Sequence, residues 1–327
     1  EFGRKRQINQ SSCNTDYSCV KGFCPSFVTV QGGQLRKKDK KGAGVEWAGG
    51  ALPHPALPAL GDEAWGIVVA GVGGTGVITI GQLLGVAAHI EGKGIVTQDA
   101  AGLAQKGGAT WSHVLIGASQ DSIRTTRVSA ASADLILGCD PIVAANPETV
   151  QRLRAGRTHV ALNTSATPTA AFVRNADWQN PAQTCVDLMV RTLGEGAVGL
   201  VVAEATATRL LGDSLYANPF MLGYAWQDGW IPLGQASLMR AIELNAVAVA
   251  QNKAAFEWGR RAAHDPQAVR ALLQPAAQVI TLQPRETLDR VIERRAEFLT
   301  GYQNTAYAAR YRALVERVRQ AEAALGS

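Results

Sequence analysis

Three of the chain's five cysteines fall within one short stretch, SSCNTDYSCVKGFCPSF, residues 11–27. The spacing is Cys13-x2-Asp16-x2-Cys19-x4-Cys24-Pro25. A tight turn that presents several thiolates to one cubane uses ligands two residues apart, with a remote cysteine followed by proline, as in the C-x2-C-x2-C run of bacterial cluster-binding loops. Here aspartate stands at the middle position. Its carboxylate is a harder and weaker iron ligand than thiolate, so the iron it holds is exchangeable. The expected occupant is an iron-sulfur cluster: 4Fe-4S on Cys13, Asp16, Cys19 and Cys24, or 3Fe-4S with Asp16 unligated. Zinc on the same donors is the second reading, although the usual C-x2-4-C pair is missing. Three inert thiols are the third. An odd cysteine count without a secretion leader argues against a disulfide framework, and Cys139 and Cys185, in apolar contexts, read as buried structural thiols.

A second chemical signal is AGVGGTGVITIGQLL, which places Gly71, Gly73 and Gly76 in G-x-G-x-x-G register between an apolar run and a helical pattern. Such a loop, with Gly74 inside it, lets a phosphate approach the backbone and meet the unpaired N–H groups of a helix N-terminus. Asp99 follows at the distance expected of a ribose-binding acid, so the fingerprint by itself points to NAD or FAD. Further on, QKGGATW sets Lys106, Gly107 and Gly108 just before a strand pattern. Two glycine-rich turns and a lysine at one sheet edge suit a large anionic ligand or a tight interface equally well. The glycines also have a purely structural reading, close packing of helix on strand. His113, within a strand pattern and without a catalytic neighbour at a useful spacing, reads as a satisfied core or surface histidine. Nucleophile-elbow, H-E-x-x-H and P-loop motifs are absent from the sequence.

The elements that must position these residues follow from the pattern of apolar runs. GIVVAG (66–71), GIVTQD (94–99), WSHVLIG (111–117), ADLILGC (133–139) and HVALNTS (159–165) read as strands. Residues 77–92 and the stretch PETVQRLRAG read as helices. Short apolar runs alternating with helices predict an α/β fold: an open, Rossmann-like, mostly parallel sheet, preceded by the small cysteine-rich segment and followed by helices. Beyond Asn180 helical spacing dominates, and in residues 233–263 Leu238, Ile242, Val249 and Phe256 share a stripe. The expected domains are a cluster-binding segment at 1–33, a linker rich in Lys, Gly, Ala and Pro at 34–62, the α/β domain at 63–263, a linker at 264–285 and a charged amphipathic helical piece from 286 to 327.

The 327 residues suffice for a sizeable core, and 46% apolar with 18% charged content describes an ordinary globular chain. The net charge of +5 is concentrated partly in RKKDKK, residues 36–41, which lacks interleaved aromatics and reads as a solvated linker, not a nucleic-acid patch. Apolar stretches are too short to span a bilayer and no leader pattern opens the chain, so a cytoplasmic location without membrane contact is expected. The start on EFGRKRQINQ and the end inside a helical pattern suggest a piece of a longer polypeptide.

Taken together, INQSSCNTDYSCVKGFCPSF, VVAGVGGTGVITIGQLLGVAAHIEGKG, GLAQKGGATWSHVLIG, NPFMLGYAWQDGWIPL and AIELNAVAVAQNKAAFEWGRRAA resemble the 2-oxoacid:ferredoxin oxidoreductases. The resemblance is greatest to the long, fused indolepyruvate ferredoxin oxidoreductases of bacteria. It implies a ferredoxin-like remnant joined to a gamma-type domain, and from residue 286 the start of an additional helical domain. It further implies an enzyme that decarboxylates an arylpyruvate with thiamine diphosphate, passes electrons through iron-sulfur clusters to ferredoxin and transfers the acyl unit to coenzyme A. The thiamine signature, G-D-G with paired asparagines, is not in this sequence. No catalytic residue is therefore expected in the chain, which would be inactive without the thiamine-binding domains. A coenzyme A surface around Gly73, Gly74, Lys106 and Gly107 and assembly as a homo-oligomer are part of the same expectation. Asp16, where two-subunit relatives have cysteine, is the departure from the pattern.

Overall fold

The computed structural model describes residues 32–33, 51–101, 108–167, 175, 177–273 and 287–324. The chain divides into two compact units, Glu1–Gln274 and Pro275–Ser327. Cys13, Asp16, Cys19, Cys24, Lys106 and Gly107 lie outside the described residues.

In the first unit the strands are β1 (Trp65–Val72), β2 (Gly94–Ala101), β3 (Ala109–Gly117), β4 (Leu135–Gly138), β5 (His159–Asn163) and β6 (Val198–Val201). Among the described residues they form one six-stranded sheet in the order β2-β3-β1-β4-β5-β6. β1, β4, β5 and β6 pair in parallel, as the alternating pattern predicts. β3 is the exception: it inserts between β2 and β1 and runs antiparallel to both. The sequence does carry a sign of the β2–β3 reversal, because these strands are joined without an intervening helical pattern and a parallel pair needs a crossover connection. β6 was not expected at all. Its four residues, VGLV, are too few to show a period.

Alternation along the strands supplies two apolar faces. Ile67, Val69, Val114, Ile116, Leu135 and Leu137 face one core. Over it pack α1 (Val77–Ile90), α5 (Ala203–Leu211), α6 (Ala217–Gln227), α7 (Gln235–Asn245) and α8 (Val249–His264). Val68, Leu115, Ile136, Val160 and Leu162 face the other, with Val186 and Met189 of α4 (Ala182–Leu193). The single turns α2 (Pro141–Ala144) and α3 (Pro147–Val150) begin with proline, whose fixed φ and missing N–H suit a first helical position. The helix expected over PETVQRLRAG is thus only the α3 turn.

The helical pattern of residues 233–263 is also interrupted. Ala246 and Ala248 adopt left-handed φ values of 56° and 43° between α7 and α8, so the stripe is shared by two helices. α6 and α8 cross where Gly223 faces the backbone of Phe256 and Gly259 that of Phe220. The expected linker regions are partly structured. Pro53 accepts a hydrogen bond from Gln227 (2.9 Å) and Leu60 packs on the core, fixing residues 51–62 to the unit. The stretch 264–285 begins with a helix, α9 (Pro266–Leu273), whose Val269 is buried in the same core.

The second unit is a helical pair, α10 (Leu288–Tyr302) and α11 (Thr305–Ala324). Thr287 caps α10 by accepting from Arg290 N at 3.4 Å. No described helix of the chain is long and apolar enough to cross a membrane.

Candidate functional site at the carboxyl ends of the strands

β1 leads to α1 through residues 73–76, and this loop is built from local hydrogen bonds. Thr75 turns the chain back, its N–H and hydroxyl donating to the Val72 carbonyl at 3.3 and 2.7 Å. Gly74 and Gly76 have φ of 83° and 94°, a region that a Cβ makes costly. Gly71 serves packing instead: a Cβ there would lie 2.7 Å from Val77 and 2.9 Å from Cys139. Asn218 on α6 donates to the Thr75 carbonyl at 2.8 Å, and Gly73 donates to the Gly108 carbonyl at 2.7 Å. The two glycine turns expected at one sheet edge are therefore joined by a backbone bond.

α1 starts without a side-chain cap and without an acidic residue in its first turn. Its leading N–H groups and the positive end of its dipole are thus available to an anion. Asp99 is not brought to this loop. It is exposed on β2, opposite Ser112 of β3, and β3 separates its strand from β1. Two strand spacings of roughly 4.8 Å each lie between it and the loop strand, whereas the dinucleotide fingerprint needs the acid on the neighbouring strand.

Beside the loop the chain changes direction across the sheet: β1 leads toward β2 and β3 on one side, and β4 continues on the other. In open α/β sheets that crevice is where ligands bind. It is a small cleft here, about 20 Å³, lined by residues that include Val72, Thr75, Asp140, Asn163, Glu204 and Asn218. Each is placed by the end of a strand or the start of a helix. Asp140 follows β4 and caps α2, accepting from Ile142 N (2.9 Å), Val143 N (3.1 Å) and Thr167 N (2.8 Å). Burial raises its pKa despite these donors. Glu204, in the first turn of α5, is raised by burial and then by the nearby Asp140. Asn163 at the end of β5 ties three segments together, donating to Cys139 O (3.1 Å) and accepting from Ala203 N (3.2 Å). Burial pushes the Cys139 thiol up to about 12, so it is no nucleophile. Cys185 is likewise buried with a raised pKa, as expected of a structural thiol.

Asp140, Asn163, Glu204 and Asn218 were not singled out from the sequence. The available signal was Asp-Pro directly after a strand pattern, a capping residue followed by proline at the first helical position. His113 departs from the expectation of a satisfied histidine: it is fully buried and neither ring nitrogen has a hydrogen-bond partner among the described residues. Burial, with Arg152 and Arg127 nearby, lowers its pKa to about 4. Among the described residues no group of three His, Cys, Asp or Glu could hold a metal.

Comparison with known proteins places this arrangement. The chain is 31% identical over 185 residues to indolepyruvate oxidoreductase subunit IorB of Methanothermobacter thermautotrophicus, covering 55% of this chain and 87% of that protein. It is 36% identical over 75 residues to the subunit of the same name from Archaeoglobus fulgidus, covering 23% and 35% respectively. Among solved structures, a keto/oxoacid ferredoxin oxidoreductase gamma subunit of Geobacter sulfurreducens gives a TM-score of 0.43 at 20% identity, covering 61% of this chain and 98% of that one. The 2-oxoglutarate:ferredoxin oxidoreductase of Magnetococcus marinus gives 0.46 at 14%, covering 62% and 31%. Residues 288–326 match a family of unknown function, DUF6537. Residues 66–262, more than half of the chain and the span that holds the sheet, the glycine loop and the cleft, match the model of pyruvate ferredoxin/flavodoxin oxidoreductase, and the chain belongs to that family.

Proposed function

We propose that the chain is the gamma-type part of an indolepyruvate:ferredoxin oxidoreductase that oxidatively decarboxylates a 2-oxoacid to an acyl-coenzyme A. The observation that carries this reading is the likeness to the IorB subunit, which extends over 87% of that protein. Thiamine diphosphate, held by domains outside this sequence, would supply the decarboxylation chemistry. The present chain would supply an electron path and an anion-binding surface.

The electron path is assigned to Cys13, Cys19, Cys24 and Asp16, whose three thiolates and one carboxylate are a donor set that fits an iron-sulfur cluster serving ferredoxin. The anion-binding surface is the loop of Gly73 and Gly74 with the first turn of α1, and Lys106 and Gly107, which lie outside the described residues, are assigned to it from the sequence. Uncapped N–H groups and left-handed glycines suit the diphosphate of coenzyme A. Asp140 and Glu204 line the cleft, and carboxylates there would repel a phosphate placed inside it. The diphosphate therefore belongs on the outer side of the loop.

Two measurements test the reading. Titrating the full chain with coenzyme A and with NAD in a calorimeter separates this proposal from a dinucleotide-binding one; Gly73→Val should weaken coenzyme A binding while the fold persists. Binding of NAD alone, or coenzyme A binding that Gly73→Val leaves intact, refutes the assignment. Iron and sulfide reconstitution under anaerobic conditions, followed by metal analysis and EPR, should give a cluster signal that Cys13→Ala removes. Stoichiometric zinc in its place makes the segment structural.

A further inference from the structure

The helical pair has two unlike edges. On one, Asp289 and Glu293 of α10, one turn apart, meet Arg319 and Arg312 of α11, the latter pair at 2.6 Å. The other edge, roughly 200° away around each helix by the 100° per residue of an α-helix, carries Arg295, Phe298, Leu299 and Tyr302 on α10. Facing them on α11 are Tyr307, Arg310, Tyr311 and Leu314. All of these but Tyr302 line an open groove of about 600 Å³, and the Tyr302 ring lies 6.2 Å from that of Tyr307.

Phe298 is 70% exposed, Tyr302 72% and Leu314 55%. Only Ile292, Ala296 and Ala308 are buried among the described residues of this unit. Two short helices with so little interior are marginal by themselves. Neither Arg295 nor Arg310 has a carboxylate partner among the described residues; the Arg310 guanidinium lies 5.9 Å from the Tyr307 ring centroid. The groove is thus apolar and aromatic along its length and positively charged at its margins.

We propose that this groove is a docking site for an acidic amphipathic helix of a partner. The partner's apolar stripe would fill the space between Phe298 and Leu314, and Asp or Glu beside that stripe would reach Arg295 and Arg310. Helix-in-groove recognition needs both features: anchors at i, i+3, i+4 and i+7, and charge matched at the rim. Those anchors belong to the inserted helix; on the groove side, 295, 298 and 299 share one face of α10 and 307, 310, 311 and 314 one face of α11, so each helix offers one continuous wall. A second copy of the same edge would set arginine against arginine, which disfavours self-association here.

The test uses the full 327-residue chain and two labelled synthetic helical peptides of about 20 residues, a length near 30 Å. Both carry a leucine stripe, flanked by Glu in one and by Lys in the other. Fluorescence anisotropy should show the Glu peptide binding at least about tenfold more tightly than the Lys peptide, with a difference that shrinks as salt rises. Arg295→Glu with Arg310→Glu should reverse the preference, and Phe298→Ala should weaken both peptides. Should charge reversal disturb the hairpin by circular dichroism, Arg295→Gln with Arg310→Gln must still bring the two affinities together. Equal affinity of the wild-type chain for both peptides, binding of neither, or a preference that survives the arginine variants overturns the proposal. Self-association abolished by Phe298→Asp but not by the arginine variants overturns it in favour of a second copy.

Discussion

The α/β unit and the helical pair solve the same problem, covering apolar surface, to very different degrees. The first encloses Trp226, Phe220, Phe256 and Ile67 at 1% exposure or less, and ties its layers with buried hydrogen bonds such as Asn163 to Cys139 and Trp226 to Leu233. Among its described residues the second encloses one isoleucine and two alanines and leaves Leu288, Phe298, Tyr302, Leu314 and Val318 exposed. Its ion pairs join exposed groups, and such pairs contribute about 0–1 kcal/mol each. A sheet with helices on both faces creates its own interior; a two-helix hairpin borrows one. Denaturant unfolding of the full chain should accordingly show two transitions, the hairpin first. A single transition seen by both far-ultraviolet circular dichroism and tryptophan fluorescence would mean that the units stabilise each other.

The largest effect separating the two is expected at the α6–α8 crossing. A Cβ at Gly259 would overlap the Phe220 carbonyl and lie 2.8 Å from the Tyr224 amide, and backbone cannot yield as a flexible side chain does. Gly259→Val should cost on the order of 4 kcal/mol or more and abolish the main transition. The hairpin counterpart, Ile292→Ala, removes a side chain that is already at 9% exposure in a thin interior. It should cost about 1–2 kcal/mol, below the range of well-buried sites, and leave the main midpoint unchanged.

His113 distinguishes the units by pH. Its pKa falls from 6.5 to about 4 in the folded state, so the unfolded chain binds the extra proton between these values. Stability of the α/β unit is then complete above about pH 6.5 and declines as pH falls toward 4, by roughly 2–3 kcal/mol over the window. His113→Phe should flatten that decline in urea midpoints measured from pH 4 to 7. An unchanged slope would assign the acid sensitivity to other groups. The helical pair, with no histidine among residues 287–324, should show none of this component.

What the sequence displayed of this architecture depended on the range of the physics involved. β1, α1, β2, β4 and β5 were visible because apolar runs, glycine turns and helical spacing are local. The place of β3 between β2 and β1 was not visible, since strand order is settled by packing between distant segments, and that insertion removes Asp99 from the glycine loop. Asp140, Asn163 and Glu204 escaped notice for the same reason: they are far apart in sequence and meet only because parallel strands end at one edge. The glycine loop was legible, and so was its structural role at Gly71. The backbone bond from Gly73 to Gly108 required the fold.

The smallest expected effects concern single exposed positions, one in each unit. Ala246 holds a left-handed φ of 56° at the end of α7, where glycine is the usual residue. Ala246→Gly should raise the stability of the α/β unit by up to about 1 kcal/mol, because the strain removed exceeds the added freedom of the unfolded chain. In the hairpin, Arg312→Ala deletes the pair with Glu293, both of whose side chains are more than half exposed. That change should move the first transition by no more than about 0.5 kcal/mol and vanish in high salt. A larger loss in the hairpin than the gain at Ala246 would mean that the zipped edge, and not an absent partner helix, determines how firmly the two helices hold together.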